Sequence, residues 1–359
     1  MKYVIITSGG SQLITQISTL KQLNLLKSGI EVYYIGVEYD TLTQVLKSIC
    51  NTYSLNYKGR ISDISIPKKY ALKDYKRPKK LVKEFLRTTL INKQIEKENP
   101  ELSQIKGCYL IITFRHKILA DALLINYIQP ERILLTADGV IDQPFERNFN
   151  TIGWSKVKTP INTIPVQGKI YTPSYLADDT KKVGEVEIIP DDIIEDCFKE
   201  LSVIDDFKSL KETVEKVGPK SIIFSQHLAL NKNCTENEEV KYYADIVKTR
   251  IREQDFPVVV KLHPRDADTK IKALQETLNS LGSKAIVLSR KDSAIPIEIM
   301  YEYIKNNAVG LITASSSAPL FIRSELSQLI SYTASYLPEA FNLEITEFSR
   351  KNNGILKSL

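Results

Sequence analysis

The run Val258-Val259-Val260-Lys261-Leu262-His263-Pro264-Arg265-Asp266 places an imidazole where an apolar, β-branched strand opens into a loop. Histidine is the side chain best suited to moving a proton near neutral pH. Pro264 lacks an N–H and biases His263 away from helix, so the segment should leave the strand in a fixed turn. Three more polar groups follow strand-like runs in the same half of the chain: Ser225-Gln226-His227, then Pro296-Ile297-Glu298 at a helix start, then Ser315-Ser316-Ser317. In a doubly wound sheet all of them, with Pro264 and Arg265, lie along one edge and converge on one ligand. Hydroxyls and the backbone N–H groups of a helix starting near Ser317 suit a phosphate, and Glu298 suits ribose hydroxyls. Each has a plainer alternative: an N-cap cluster for the serines, a dipole complement for Glu298, a hydrogen-bonded structural role for His263. Their joint placement favours a nucleotide pocket.

In the first half, Ile133-Leu134-Leu135-Thr136-Ala137-Asp138-Gly139 is a strand ending in an acid and a glycine. Gly139 permits a sharp turn that leaves the Asp138 carboxylate directed into a cleft, although the pair taken alone reads as an Asp-Gly turn. Ser8-Gly9-Gly10-Ser11-Gln12 forms a second loop at the same edge, with Gly9, Gly10 and Ser11 as acceptor or ligand contacts. Its spacing is not GxGxxG, so no dinucleotide fingerprint is read from it.

The elements that must carry these groups alternate. Strands are expected near 3–7, 31–35, 109–113 and 133–136, then near 221–224, 258–262, 285–288, 309–313 and 329–332, with helical patterns between them. This predicts an α/β chain of two Rossmann-like, doubly wound domains facing each other across a cleft, which also fits the length of 359 residues. The expected division is 1–165, an interdomain linker at 166–190 within a Pro-, Thr-, Gly- and Asp-rich passage, and 191–359. A last helix is expected near 339–351.

The balance of 49 basic and 43 acidic residues, net +6, is too mild to indicate nucleic-acid binding. Cys50, Cys108, Cys197 and Cys234 are widely spaced and indicate neither a zinc knuckle nor a disulfide framework, so a reducing cytoplasm is expected. The chain begins without a signal-like segment, and no apolar run approaches the roughly 18 residues that span a bilayer. Residues Lys68 to Lys93 carry ten basic side chains against Asp74 and Glu84, with an apolar side from Leu81 to Leu90. Two readings stand for this segment: a solvated face, or a contact for an anionic membrane or polyanionic glycan. The acid pairs Asp178-Asp179, Asp191-Asp192 and Asp205-Asp206 read as linker or helix-start acids rather than metal ligands.

The order of an acid-Gly motif at Asp138-Gly139, a His-Pro motif at His263-Pro264 and a Ser-Ser motif at Ser315-Ser316 resembles the bacterial sialyltransferases of GT-B fold. The nearest likeness is to the α-2,8-polysialyltransferase and lipooligosaccharide sialyltransferase group. That family has two acids before the glycine, where this chain has Ala137-Asp138. The resemblance implies inverting transfer of sialic acid from CMP-sialic acid to a glycan hydroxyl, in making a capsule or lipooligosaccharide. Asp138 would be the general base and His263 the general acid or electrostatic partner of the departing CMP phosphate. Ser315 and Ser316 would hold that phosphate and Glu298 the ribose, with no metal and no cofactor. The enzyme would be cytoplasmic, peripheral on the inner membrane face. Two alternatives are a Kdo or polyol-phosphate transferase with a cytidylate-activated donor, and a non-catalytic glycan-binding assembly protein on the same fold.

Overall fold

Nearly continuous apolar runs such as Tyr3-Val4-Ile5-Ile6-Thr7 have no polar face to offer water, so they belong inside parallel sheets covered on both sides. The computed structural model describes residues 1–36, 40–62, 89, 92–113, 124–125, 127–137, 166–181, 185–216, 220–226, 228–229, 234–254, 257–280, 285–313, 316, 318–322, 330–334 and 355–358. These form two compact units, Met1–Glu38 with Ile49–Ile194, and Tyr39–Ser48 with Glu195–Leu359.

The first unit contains β1 (Tyr3–Thr7), α1 (Gly10–Gln22), β2 (Glu31–Tyr34), the end of α2 (Asp40–Thr52), β3 (Asn56–Arg60), β4 (Leu110–Thr113), β5 (Arg132–Thr136), β6 (Val166–Pro173), α3 (Ala177–Lys181) and β7 (Glu185–Ile189). Its strands run in the order β3-β2-β1-β4-β5-β6-β7, every pair parallel. Val4 and Ile6 alternate to one face of β1 and meet Tyr33, Ile105, Ile111 and Ile128 in the core. Residues 166–190, expected as an interdomain linker, instead contribute β6 and β7 to this sheet, and the unit closes at Ile194 inside the next helix. β7 stands at the edge of this sheet, and of its residues only Ile189 is fully buried.

The second unit contains α4 (Asp191–Ser202) from Glu195 on, α5 (Lys208–Lys216), β8 (Lys220–Phe224), α6 (Glu236–Gln254), β9 (Val258–Lys261), α7 (Asp268–Ser280), β10 (Ala285–Val287), α8 (Arg290–Ala294), α9 (Tyr301–Asn307), β11 (Ala308–Thr313), β12 (Ile330–Ala334) and β13 (Ile355–Ser358). The order β10-β9-β8-β11-β12-β13 is again wholly parallel. Numbered from its first strand, each sheet reads 3-2-1-4-5-6, the Rossmann order, with β7 added to the first. The chain therefore reverses direction of growth between β1 and β4, and again between β8 and β11. Such switch points open a crevice at the carboxyl edge, where ligands bind. The expected helix near 339–351 lies outside the described residues. Among the described residues no helix is long and apolar enough to cross a membrane.

Candidate functional site

β9 is buried through Val258, Val259 and Val260, and Leu262 behind it is also buried, so the strand cannot shift without unpacking the core. The chain then turns: the Asp266 N–H donates to the His263 carbonyl at 2.9 Å, closing a four-residue turn with Pro264 at its second position. Proline's fixed φ suits that position. The turn is locked a second time from the side chain, because the His263 N–H donates to Asp266 Oδ2 at 3.0 Å and to Ser225 Oγ at 2.9 Å. Ser225 follows β8, the neighbouring strand, so the bond ties the adjacent loops after β8 and β9 beside the switch point. The Arg265 N–H donates to Nδ1 of the His263 ring at 3.1 Å.

A buried ionic framework lies beneath these loops. Lys270, on α7, donates to Asp266 Oδ1 at 2.8 Å and to Glu239 Oε1, on α6, at 2.6 Å. Glu239 also accepts the N–H groups of Leu228 at 3.0 Å and Ala229 at 2.9 Å. Two carboxylates against one ammonium would leave a net negative charge in the interior, and the backbone N–H groups of 228, 229 and 263 spread it. Burial pushes the Asp266 carboxyl up from its ordinary range, with Lys270 pulling against it. The hydroxyl of Tyr243 accepts the Gln226 N–H at 2.8 Å, fixing the residue after Ser225.

Glu298 is buried, in a 3-10 turn at Ile297–Met300 that leads into α9. The sequence placed it at the start of the helix directly after the third strand of this half; α8 intervenes, because Ser289 accepts the Asp292 N–H and caps a short helix first. Lys261, at the end of β9, feels the charges of Glu298 and Asp292, and its ammonium donates to the Ser293 carbonyl. Burial outweighs that attraction and lowers the Lys261 pKa to about 8. After β11, Thr313 Oγ1 accepts the Ser316 N–H at 2.9 Å, and Ser316 Oγ accepts the Ala318 N–H at 3.2 Å. A hydroxyl that accepts in this way keeps its hydrogen for an anion. The chain continues into a 3-10 turn at Ala318–Ile322 and not the α-helix expected near Ser317. Ser315 and Ser317 lie outside the described residues, as does His227.

In the first unit the loop after β1 leads into α1, with Gly9 as its N-cap residue, Gly10 buried in the first turn and Ser11 exposed. The Gly9 backbone is extended, and a Cβ there would meet nothing within 4 Å, so neither conformation nor packing requires glycine. Gln12 spans the edge: its Oε1 accepts from Ser8 Oγ at 3.0 Å and its Nε2 donates to the Ala137 carbonyl at 3.2 Å. The Ala137 N–H donates to the Tyr171 carbonyl at 2.8 Å. The residue before Asp138 is thus held from both sides. Asp138 and Gly139 lie outside the described residues.

Sequence reasoning missed Gln12, Tyr243, Glu239, Asp266, Lys270 and Lys261. The spacing of Asp266 and Lys270 is an i,i+4 pair and could have been read. Glu239 looked like one of several acids starting a helix, and no local signal marks its reach to Lys270. A depression of about 290 Å³ in the second unit, lined by Phe198, Lys211, Tyr301, Tyr303 and Asn307 among others, contains none of the expected site residues.

Two solved structures share this architecture. An α/β-galactoside α-2,3-sialyltransferase from Photobacterium phosphoreum aligns with a TM-score of 0.52 at 10% identity, over 99% of this chain and 98% of that one. A UDP-GlcNAc 2-epimerase from Methanocaldococcus jannaschii aligns with a TM-score of 0.52 at 14% identity, over 92% of this chain and 83% of that one. At such identities the likeness carries the fold alone, two Rossmann-like domains of the GT-B class. No curated protein matches the chain by sequence. The family model for alpha-2,8-polysialyltransferase (POLYST) matches residues 5–335, and the chain belongs to that family. It is accordingly a glycosyltransferase of the sialyltransferase kind.

Proposed function

We propose that the protein transfers sialic acid from CMP-sialic acid to a glycan hydroxyl with inversion, in building a bacterial capsule or lipooligosaccharide. The observation that carries this reading is the His263-Pro264 turn, bonded to Ser225 beside the switch point of a Rossmann sheet. In this reading the second unit holds the donor, with His263, Ser225, Gln226, Pro264, Arg265 and the serines at 315–317 around the nucleotide phosphate and Glu298 at the ribose. Asp138 of the first unit takes the proton of the acceptor hydroxyl, whose oxygen bonds to the anomeric carbon as the bond from that carbon to the CMP phosphate breaks. The charge developing on the departing phosphate is met by a proton or hydrogen bond from His263. One displacement of this kind inverts the anomeric centre, and neither group needs to be a metal ligand. Gly9, Gly10, Ser11 and Gly139 are read as acceptor-side contacts. The basic run from Lys68 to Lys93, which lies outside the described residues save for residues 89, 92 and 93, is read as the contact for an anionic acceptor or the inner membrane surface.

Thermal unfolding with added nucleotides tests the donor assignment. CMP should raise the midpoint, UDP should leave it unchanged, and chelation by EDTA should alter neither the CMP shift nor turnover with CMP-sialic acid. Selective stabilisation by UDP would overturn the cytidylate reading.

A further inference from the structure

The His263 ring accepts the Arg265 N–H at Nδ1, 3.1 Å away. A nitrogen that accepts a hydrogen bond cannot carry the proton, so the neutral ring holds its proton at Nε2. This arrangement survives only if Arg265 keeps its N–H aimed at the ring, and the turn that aims it is tied down at residue 266. The Asp266 N–H binds the His263 carbonyl at 2.9 Å and the Asp266 carboxylate binds the His263 N–H at 3.0 Å. The other oxygen of that carboxylate is held by Lys270 at 2.8 Å, and Lys270 is held in turn by Glu239 at 2.6 Å. All three side chains are buried: Glu239 is 0% exposed, Lys270 3% and Asp266 5%. None of the three belongs to the residues assigned to donor or acceptor.

We infer that Asp266 and Lys270 are positioning residues that lock the His263 imidazole with its proton at Nε2, so that this nitrogen is the one that donates a hydrogen bond to the leaving phosphate. The inference rests on the proposed role of His263. Its physical basis is that a donor ring misplaced by about 1 Å loses on the order of 10²-fold in rate without losing the ability to bind substrate, and a ring half populated in the wrong tautomer loses about a further twofold. Glu239 completes the lock: its Oε1 accepts from Lys270 and the Leu228 N–H and its Oε2 from the Ala229 N–H, so the adjacent loops after β8 and β9 move only together.

Nitrogen-15 NMR of the full chain with labelled histidine reads the ring directly, and the three histidines His116, His227 and His263 are assigned by single replacement. In the unmodified protein His263 should show an unprotonated, acceptor-type Nδ1 and a protonated Nε2. Asp266→Asn keeps the shape of the site but weakens the hold of Lys270; it should broaden that signature towards a mixture and lower kcat about 10- to 100-fold while the KM for CMP-sialic acid changes less. Lys270→Arg, which retains the charge, should recover more of kcat than Lys270→Met. A protonated Nδ1 in the unmodified protein, or an Asp266→Asn enzyme with wild-type kcat, overturns the lock. If instead His263→Ala turns over at the wild-type rate, the functional reading has failed, and the ring signature still decides the lock by itself.

Discussion

At the carboxyl edge of the second sheet, the loops carrying Ser225 and His263 hang on three ionised side chains, Glu239, Asp266 and Lys270. At the same edge of the first sheet, the loop after β1 and the end of β5 are joined by the neutral amide of Gln12. One strand order thus serves two kinds of brace. A buried ion network is rigid only while complete, because removing one member strands the others without a partner or water. An amide bridge gives less and loses less. The unit read as presenting an imidazole proton has the stiffer support, and the unit read as receiving a proton on a carboxylate has the softer one.

The largest effect that separates the two braces is on stability. Lys270→Met should cost about 3–5 kcal/mol, because Glu239 and Asp266 then face each other buried and unneutralised. Gln12→Leu should cost about 1–3 kcal/mol, the loss of the hydrogen bonds to Ser8 and Ala137. Urea unfolding of both variants reads the difference, and equal costs would mean that the ionic framework is no stiffer than the amide.

A smaller effect belongs to pH. Burial lowers the Lys261 pKa from its ordinary 10.5 to about 8, so between those values the unfolded chain binds the proton that the folded one has released. Stability contributed by this group therefore rises as pH rises from about 8 to 10.5, and below about 8 the penalty of a charged, partly buried lysine is present in full. Lys261→Met should remove that rise; an unchanged slope in this window would show that Lys261 is not the buried group responsible.

The smallest effect on folding falls at Gly9. With an extended backbone and open space where a Cβ would stand, Gly9→Ala should alter stability by no more than about 0.5 kcal/mol. If an acceptor passes over this loop as proposed, the same change should lower turnover on the order of 10-fold. Full activity in that variant would remove Gly9 from the acceptor side.

Much of this scaffold could be read from the chain. Runs such as Tyr3–Thr7 and Val258–Lys261 are apolar on both faces, and burial on both faces is what a central parallel strand requires. The strands that went unread, β3, β6, β7 and β13, stand at or next to sheet edges. Their sequences, Asn56–Arg60 and Glu185–Ile189 among them, mix charge with apolar residues as loops do. The same division holds for the site. His263-Pro264 and Ser225 are legible because strand ends announce themselves by a change in composition. Glu239 and Lys270 stand 31 residues apart and meet only because α6 and α7 pack together, a fact of tertiary structure with no local trace.

Transfer of labelled sialic acid from CMP-sialic acid, measured for the unmodified protein beside Asp138→Asn and His263→Ala, bears most directly on the proposed chemistry. Both variants should lose about 10²- to 10⁴-fold in turnover while folding normally and, for Asp138→Asn, still responding to CMP. Wild-type turnover in both would contradict the assignment of base and acid outright.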